Sequence, residues 1–545
     1  MIRKLFVQKI SSIASAAFII ALAGVFSRVL GVIRDRVLAG QFGAGSTLDM
    51  YYTAFRIPDL VFNFIVFGAI SAGFIPIFSK LLKNEEDKDY STNKQAWDFV
   101  SNVINVFSVL LLVVTVIILI FADKIVPLIS PGFSDNQMAI TSTLTKIMFL
   151  SPILLGISGI VGGVLQTYKR FFVYSLAPIM YNFGIIIGAI WLVDWFGING
   201  LAWGVVLGAL LHLLIQVPLL SKFGYKFHFI FKFKDSNLRE ISTLMIPRVL
   251  GLVTTQVNLI VITIFSSLIA VGSITVFNFA NNLQGFPLAL VGISFAIAAF
   301  PTLSRLYNEN KILEFKKSFI QTARMIFFLI LPLSAVFIVL RVQIVRVVLG
   351  SGVFNWQDTL LTADALGIFA VSLFAQSLIP LLARSFYSMH NTITPFIAGL
   401  SGAIINLILA FTLPSKYGFL GLIIAFTISS IVNFLVLFIA FRIKIGKLND
   451  PKIIISFVKV VFASFIMGGA MYYLKIPIAR YFDLQSFWGI LMQSLVLFLI
   501  GLIVYLMVCQ TLRCPELKMI IEATAHRLNK KIKVKSEGID SVSMN

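Results

Sequence analysis

The sequence predicts an all-α polytopic membrane protein of about fourteen transmembrane helices, built as two six-helix pseudo-repeats followed by two extra C-terminal helices. Three observations predict it: the apolar excess of the composition, the confinement of basic residues to the connections between apolar runs, and short matches in register between the two halves of the chain.

Of the 545 residues, 59% are hydrophobic and 12% charged, with a mean hydropathy of +0.96. Soluble domains are about one quarter charged, and no soluble core could hold this much apolar surface. A helix needs about 20 residues to cross ~30 Å of hydrocarbon. Runs such as 109–121 and 404–413 fit helices, because inside lipid only helices and closed barrels satisfy every backbone group. The alternating pattern of a barrel is absent. The apolar runs and their breakers place segments 1 to 14 near 13–38, 50–79, 97–121, 140–164, 173–193, 200–220, 241–268, 274–303, 317–340, 359–383, 393–413, 418–441, 453–474 and 485–509. Arg3, Lys4 and Lys9 precede the first of these as in a signal peptide, but Arg28, Arg34 and Asp35 follow, so it reads as an uncleaved helix. Cys509 and Cys514 read as two structural thiols.

In a soluble protein the net charge of +21 would suggest a nucleic-acid partner. Here it marks topology instead, and no nucleic acid is expected. With the N-terminus inside, the inner connections collect Lys80, Lys83, Lys88 and Lys94, then Lys169 and Arg170, then Lys222, Lys226, Lys232, Lys234 and Arg239. The later inner connections collect Arg305, Lys311, Lys316 and Lys317, then Arg384, then Arg442, Lys444, Lys447 and Lys452. The outer connections are poorer, with no Lys or Arg at 194–199 or 269–273. This asymmetry predicts both termini in the cytoplasm. The tail from Gln510 is basic and expected near anionic headgroups, and its end, 536–545, reads as disordered.

Matches at an offset of about 220 residues argue for duplication. Ser27-Arg28-Val29-Leu30-Gly31 in segment 1 echoes Pro247-Arg248-Val249-Leu250-Gly251 in segment 7. Pro76-Ile77-Phe78-Ser79-Lys80-Leu81 echoes Pro301-Thr302-Leu303-Ser304-Arg305-Leu306, and Gly197-Ile198-Asn199-Gly200-Leu201 echoes Gly418-Phe419-Leu420-Gly421-Leu422. The expected organisation is an N-lobe over 1–228, a C-lobe over 229–446, segments 13 and 14 over 447–510, and a basic tail over 511–545. Two even-numbered halves are related by an axis along the membrane normal, a transporter architecture with its site between the halves.

Charges inside the apolar segments point to that site. An Arg near a helix centre costs roughly 2.5–3.5 kcal/mol on insertion scales, so it persists only beside a cavity or a partner. Arg28, Arg56 and Arg248 are such cases, whereas Lys146, Arg324 and Lys459 lie near enough to segment ends to snorkel. Gly24, Arg28, Gly31 and Asp35 share one helical face, with Arg34 on the adjoining stripe. Asp49, Thr53, Arg56, Asp59 and Asn63 share a face of segment 2. Segments 7 and 8 add Gln256, Asn258, Asn278 and Asn282, neutral groups suited to sugar or peptide. Arg matches phosphate bidentately in a way Lys does not, so the pattern reads as an anion site. His212, His228, His390 and His526 lack metal-ligand spacing, and there is no phosphate loop or nucleophile elbow. No metal, cofactor or enzymatic activity is therefore expected. Neutralisation of Arg28 or Arg56 by Asp35 or Asp49 stands as the structural alternative.

The stretch Phe26-Ser27-Arg28-Val29-Leu30-Gly31-Val32-Ile33-Arg34-Asp35, followed by Phe42-Gly43-Ala44-Gly45, Asp49 and Phe55-Arg56-Ile57-Pro58, strongly resembles the start of the MurJ (MviN) lipid II flippases of the MOP exporter superfamily. Pro131-Gly132-Phe133, Gln166-Thr167-Tyr168-Lys169-Arg170-Phe171, Gln256-Val257-Asn258 and Phe386-Tyr387-Ser388 extend the resemblance through both halves. It implies a transporter that moves an undecaprenyl-pyrophosphate-linked disaccharide-pentapeptide outward across the bacterial inner membrane, with the cell-wall synthesis machinery as a candidate partner. It also implies that Arg28, Arg34, Asp35 and Asp49 line the central cavity and that segments 13 and 14 hold the lipid tail. Many members carry an Arg and a Glu where this chain has Phe62 and Phe67, and an Arg where it has Asn282. The cavity is thus expected to be less cationic, with Arg56 and Arg248 placed to compensate. Another lipid-linked oligosaccharide, or a drug exported by the same superfamily, is the alternative cargo.

Overall fold

The computed structural model describes residues 13–67, 73–82, 94–446, 450–519 and 521–522, with all regular elements among them helical. Eleven of these helices are long and apolar enough to cross a membrane. They are segments 3 to 6, at Lys94–Ile129, Asp135–Thr167, Phe171–Phe196 and Asn199–Lys222, and segments 8 to 14, at Ser273–Asn308, Ile312–Val339, Trp356–Ser388, Ile393–Thr412, Phe419–Ile445, Ile454–Ala479 and Phe487–Thr511. The three expected spans outside this set are segments 1, 2 and 7, the ones that carry the polar stripes. Segment 1 is the helix Ile13–Phe42 and segment 7 the helix Ser236–Ile269. Segment 2 is broken into Ser46–Ala54, Arg56–Val61, a wide π turn at Phe62–Phe67 and Ile75–Leu81. Loop 83–93 and the tail from 523, with the stretch 536–545 read as disordered, lie outside the described residues.

The chain packs as two compact units. One is drawn from Met1–Ala280, Val348–Ala365 and Gly399–Ser429, the other from Asn281–Val347, Leu366–Ala398 and Ser430–Asn545. In the first unit, segments 5 and 6 meet along glycines. A Cβ on Gly184 would lie 2.3 Å from Gly208 Cα, and one on Gly204 would lie 2.5 Å from Gly188 Cα. Small residues let helix backbones touch where lipid supplies no hydrophobic drive. Gly204→Leu is therefore expected to force the pair apart and abolish accumulation of folded protein, read by size-exclusion chromatography in detergent. Gly469→Ala, where an added Cβ meets nothing within 4 Å, should raise the melting temperature slightly, since Ala is favoured over Gly in a helix by about 0.5–1 kcal/mol.

Local geometry recurs at the offset that the sequence matches define. Gly197 and Gly418 both take a left-handed φ, 57° and 55°, and the Gly three residues later packs on the backbone of Leu192 in one case and Leu413 in the other. Glycine takes the first conformation without strain at 197 and 418, and lacking a Cβ it permits the close approach at 200 and 421. Segment 4 ends with Lys169 at φ 58° and segment 10 with His390 at φ 56°. Each ending closes with the same backbone bonds, Lys169 N–H to Gln166 O and Arg170 N–H to Leu165 O matching His390 N–H to Tyr387 O and Asn391 N–H to Phe386 O. In each ending a 6→1 bond and a 5→2 bond together terminate the helix. Segments 2 and 8 both carry a π turn, at Phe62–Phe67 and Leu288–Ile293.

Three charges expected to snorkel also find partners. Lys146 bonds Asp123 at 2.8 Å, Arg324 bonds Glu516 at 2.6 Å, and Lys459 donates to Leu512 O at 2.7 Å. Glu516 lies on a short helical turn after segment 14, only 1% exposed, and also accepts from Ser456. Beside it, Cys509 and Cys514 are free and buried in a cluster with Tyr505, Met467 and Met471.

Candidate functional site

The polar stripe of segment 1 is held by segment 5. Arg34 bonds its neighbour Asp35 through Nη2 at 2.7 Å and Nε at 3.0 Å, and its Nη1 donates to Asn182 Oδ1 at 3.0 Å. Asp35 and Asn182 are buried. Arg28, two turns earlier, is exposed. A Cβ on Gly24 would meet nothing within 4 Å, and one on Gly31 would meet only Asn182 Oδ1, at 4.0 Å. The helix thus presents an exposed guanidinium between two glycines, with a second guanidinium fixed in orientation below it.

Segment 2 uses its charges differently. Buried Arg56 donates to Thr263 Oγ1 at 2.8 Å and to Asn278 Oδ1 at 3.1 Å. Asp49, 3% exposed, accepts from Gly272 N–H at 2.5 Å, Thr275 N–H at 2.8 Å and Thr275 Oγ1 at 2.7 Å. It caps segment 8 from across the fold, satisfying amides that a helix start leaves without partners. The same end carries more bonds between the two halves of the sequence. Val353 N–H donates to Gly40 O at 2.9 Å, Ala44 N–H to Asp358 Oδ2 at 3.3 Å, and Ser351 Oγ to Arg36 O at 3.3 Å. A Cβ on Gly132, within Pro131-Gly132-Phe133, would lie 2.0 Å from Ser267 O, so only glycine permits that approach.

Of the expected site residues, the first unit therefore joins Arg34 to Asp35, Arg56 to Asn278, and Asp49 to the start of segment 8. Asn258 of segment 7 accepts from Asn406 of segment 11, and Gln256 is half-buried nearby in sequence. Asn282 falls in the second unit and is exposed. The Arg248 side chain lies outside the described residues. Sequence reasoning missed Asn182, Thr263 and Thr275; Asn182 carried a signal as a lone amide in an apolar run, whereas the two threonines stand among other small polar residues and carried none.

Helices of this length and apolarity, charged side chains secured by partners within the fold, and bonds that join the 1–2 connection to the 7–8 and 9–10 connections belong to a multi-pass membrane transporter. Comparison narrows the class. The family model described as lipid II flippase MurJ matches residues 38–508, and the chain belongs to that family. A probable lipid II flippase MurJ of Buchnera aphidicola subsp. Schizaphis graminum is 32% identical over 374 residues, covering 68% of this chain and 71% of the relative. A solved lipid II flippase MurJ in an inward closed conformation matches with TM-score 0.73 and 26% identity, over 91% of this chain and 98% of the other. An inward-facing MATE family multidrug transporter of the MOP superfamily shares the fold, with TM-score 0.61 and 14% identity over 77% of this chain and 95% of its own.

Proposed function

We propose that the protein carries lipid II from the inner to the outer leaflet of the bacterial cytoplasmic membrane by alternating access, with both termini in the cytoplasm and the cell-wall synthesis machinery as its partner. Membership of the flippase family over residues 38–508 carries this reading. The site geometry supports it. Arg28 is the exposed cation for the pyrophosphate, with open space at Gly24 and Gly31 for a bulky headgroup. Arg34, held by Asp35 and Asn182, adds a fixed positive end behind it. The bonds that join the 1–2 connection to the 7–8 and 9–10 connections suit a state shut toward the outside.

Hydrogen bonds to a charged group are worth about 1.5–3 kcal/mol each, and about 1.4 kcal/mol is tenfold in an equilibrium. Arg28→Ala is therefore expected to lower lipid II exposure at the outer leaflet at least tenfold at unchanged protein level, measured in spheroplasts of a strain depleted of its own flippase. Arg28→Lys should recover part of the loss. Full exposure with the Ala variant would overturn the assignment of Arg28, and failure of the parent protein to complement while inserted in the membrane would overturn the cargo.

A further inference from the structure

The connection between segments 6 and 7 reads Tyr225-Lys226-Phe227-His228-Phe229-Ile230-Phe231-Lys232-Phe233-Lys234, aromatic at every odd position and basic at four of the five even ones. It runs as an irregular connection between the helices Asn199–Lys222 and Ser236–Ile269, turning at Ile230 N–H to His228 O and again at 233–234. Two buried asparagines of segment 3 hold its backbone as a neighbouring strand would. Asn105 Nδ2 donates to His228 O at 2.9 Å and to Ile230 O at 3.1 Å. Asn102 donates to Lys232 O at 3.2 Å and accepts from Lys232 N–H at 2.7 Å. Tyr225 anchors the start, bonded to Ser101 and packed on Trp97 at 5.5 Å between ring centres.

On this fixed backbone the rings form a row, Phe229 to Phe231 at 4.8 Å and Phe231 to Phe233 at 5.9 Å. Phe231 packs against the core, but Phe229 is 80% exposed, Phe233 64% and Phe227 59%. Lys226, His228, Lys232 and Lys234 are exposed as well. The depth of the strip follows from segment 3, whose 36 residues extend about 54 Å against ~30 Å of hydrocarbon. Asn102 and Asn105 stand about 12–16 Å from its first residue. The strip therefore lies beside the part of the helix that leaves the hydrocarbon, on the side that carries the basic connections. Aromatic rings partition to that depth and lysines reach from it to phosphate.

We infer that residues 226–234 form a lipid-binding strip that takes the headgroups of anionic phospholipids, its phenylalanines entering the acyl boundary and its lysines meeting the phosphates. Charge complementarity selects the ligand, because a row of exposed cations on a backbone pinned by Asn102 and Asn105 faces a leaflet whose anionic lipids attract basic segments. The leaflet rests on the orientation proposed above. Lipid binding does not require flipping, so the two readings fail separately.

The full-length protein in nanodiscs of mixed phosphatidylglycerol and phosphatidylcholine, transferred to native mass spectrometry, reads which lipid is retained. The parent should retain phosphatidylglycerol preferentially. Lys226→Gln/Lys232→Gln/Lys234→Gln should lower that retention about a hundredfold with its melting temperature unchanged, and Phe227→Ser/Phe229→Ser should also lower it. Lys311→Gln/Lys317→Gln, in the 8–9 connection, should not. Equal retention by the parent and the triple Gln variant overturns the inference and leaves the strip as a surface for an acidic protein segment. An equal loss in the 8–9 variant also overturns it, as unspecific charge.

Discussion

Asp49→Ala is expected to abolish complementation of a flippase-depleted strain at normal protein level. The carboxylate accepts three hydrogen bonds from Gly272 and Thr275 while 3% exposed. Bonds to a charged acceptor are worth about 1.5–3 kcal/mol each, whereas the states of a transporter differ by only a few kcal/mol. Removing the acceptor strands the first amides of segment 8 and shifts the population away from the arrangement in which the 1–2 and 7–8 connections are joined. Asp49→Asn keeps one acceptor oxygen and should fall between. The shift is readable directly: a cysteine at Ser273, buried in the parent, should react with a membrane-impermeant maleimide much faster in the Asp49→Ala background. Native Cys509 and Cys514 are buried and contribute little background. Unchanged labelling together with intact complementation would show that Asp49 is not a latch.

The second large effect concerns stability. Glu516→Leu leaves Arg324, 19% exposed, without the carboxylate it meets at 2.6 Å, and removing one partner of a buried ion pair costs about 3–5 kcal/mol. The double variant Arg324→Leu/Glu516→Leu should recover most of that, because replacing both charges by apolar groups is often neutral. Thermal melting of the purified protein in detergent compares the three. If Glu516→Leu and the double variant both melted with the parent, the pair would contribute nothing, and the turn after segment 14 would be held by contacts such as Cys514 packing and the Lys459 bond to Leu512 O.

The long apolar helices were legible because length and hydropathy are local properties: segments 3 to 6 and 8 to 14 appear as the eleven apolar helices. The repeat was legible where backbone conformation demands a residue type, as at Gly197 and Gly418. The use made of each charge was not. Adjacent residues on a helix point about 100° apart, so Arg34 and Asp35 read as separate stripes, yet the long guanidinium stem folds back onto its neighbour. Asn182 is 148 residues away and Thr263 is 207 from Arg56, distances that helical periodicity does not bridge. For the same reason local spacing did not show that Lys146, Arg324 and Lys459 find partners.

The clamp on Arg34 has a consequence for biogenesis. Segment 1 leaves the ribosome with Arg28, Arg34, Asp35 and Arg36 in one helix, and each central Arg opposes insertion by roughly 2.5–3.5 kcal/mol. Asp35 emerges beside Arg34, but Asn182 is made 148 residues later. At 5–20 residues per second, that is a delay of about 7–30 s. During this interval the Arg34–Asp35 ion pair is in place but the Asn182 bond is not. Segment 1 must therefore dwell at the insertion machinery or at the lipid interface until segment 5 arrives, and the order of synthesis becomes part of how the site is assembled.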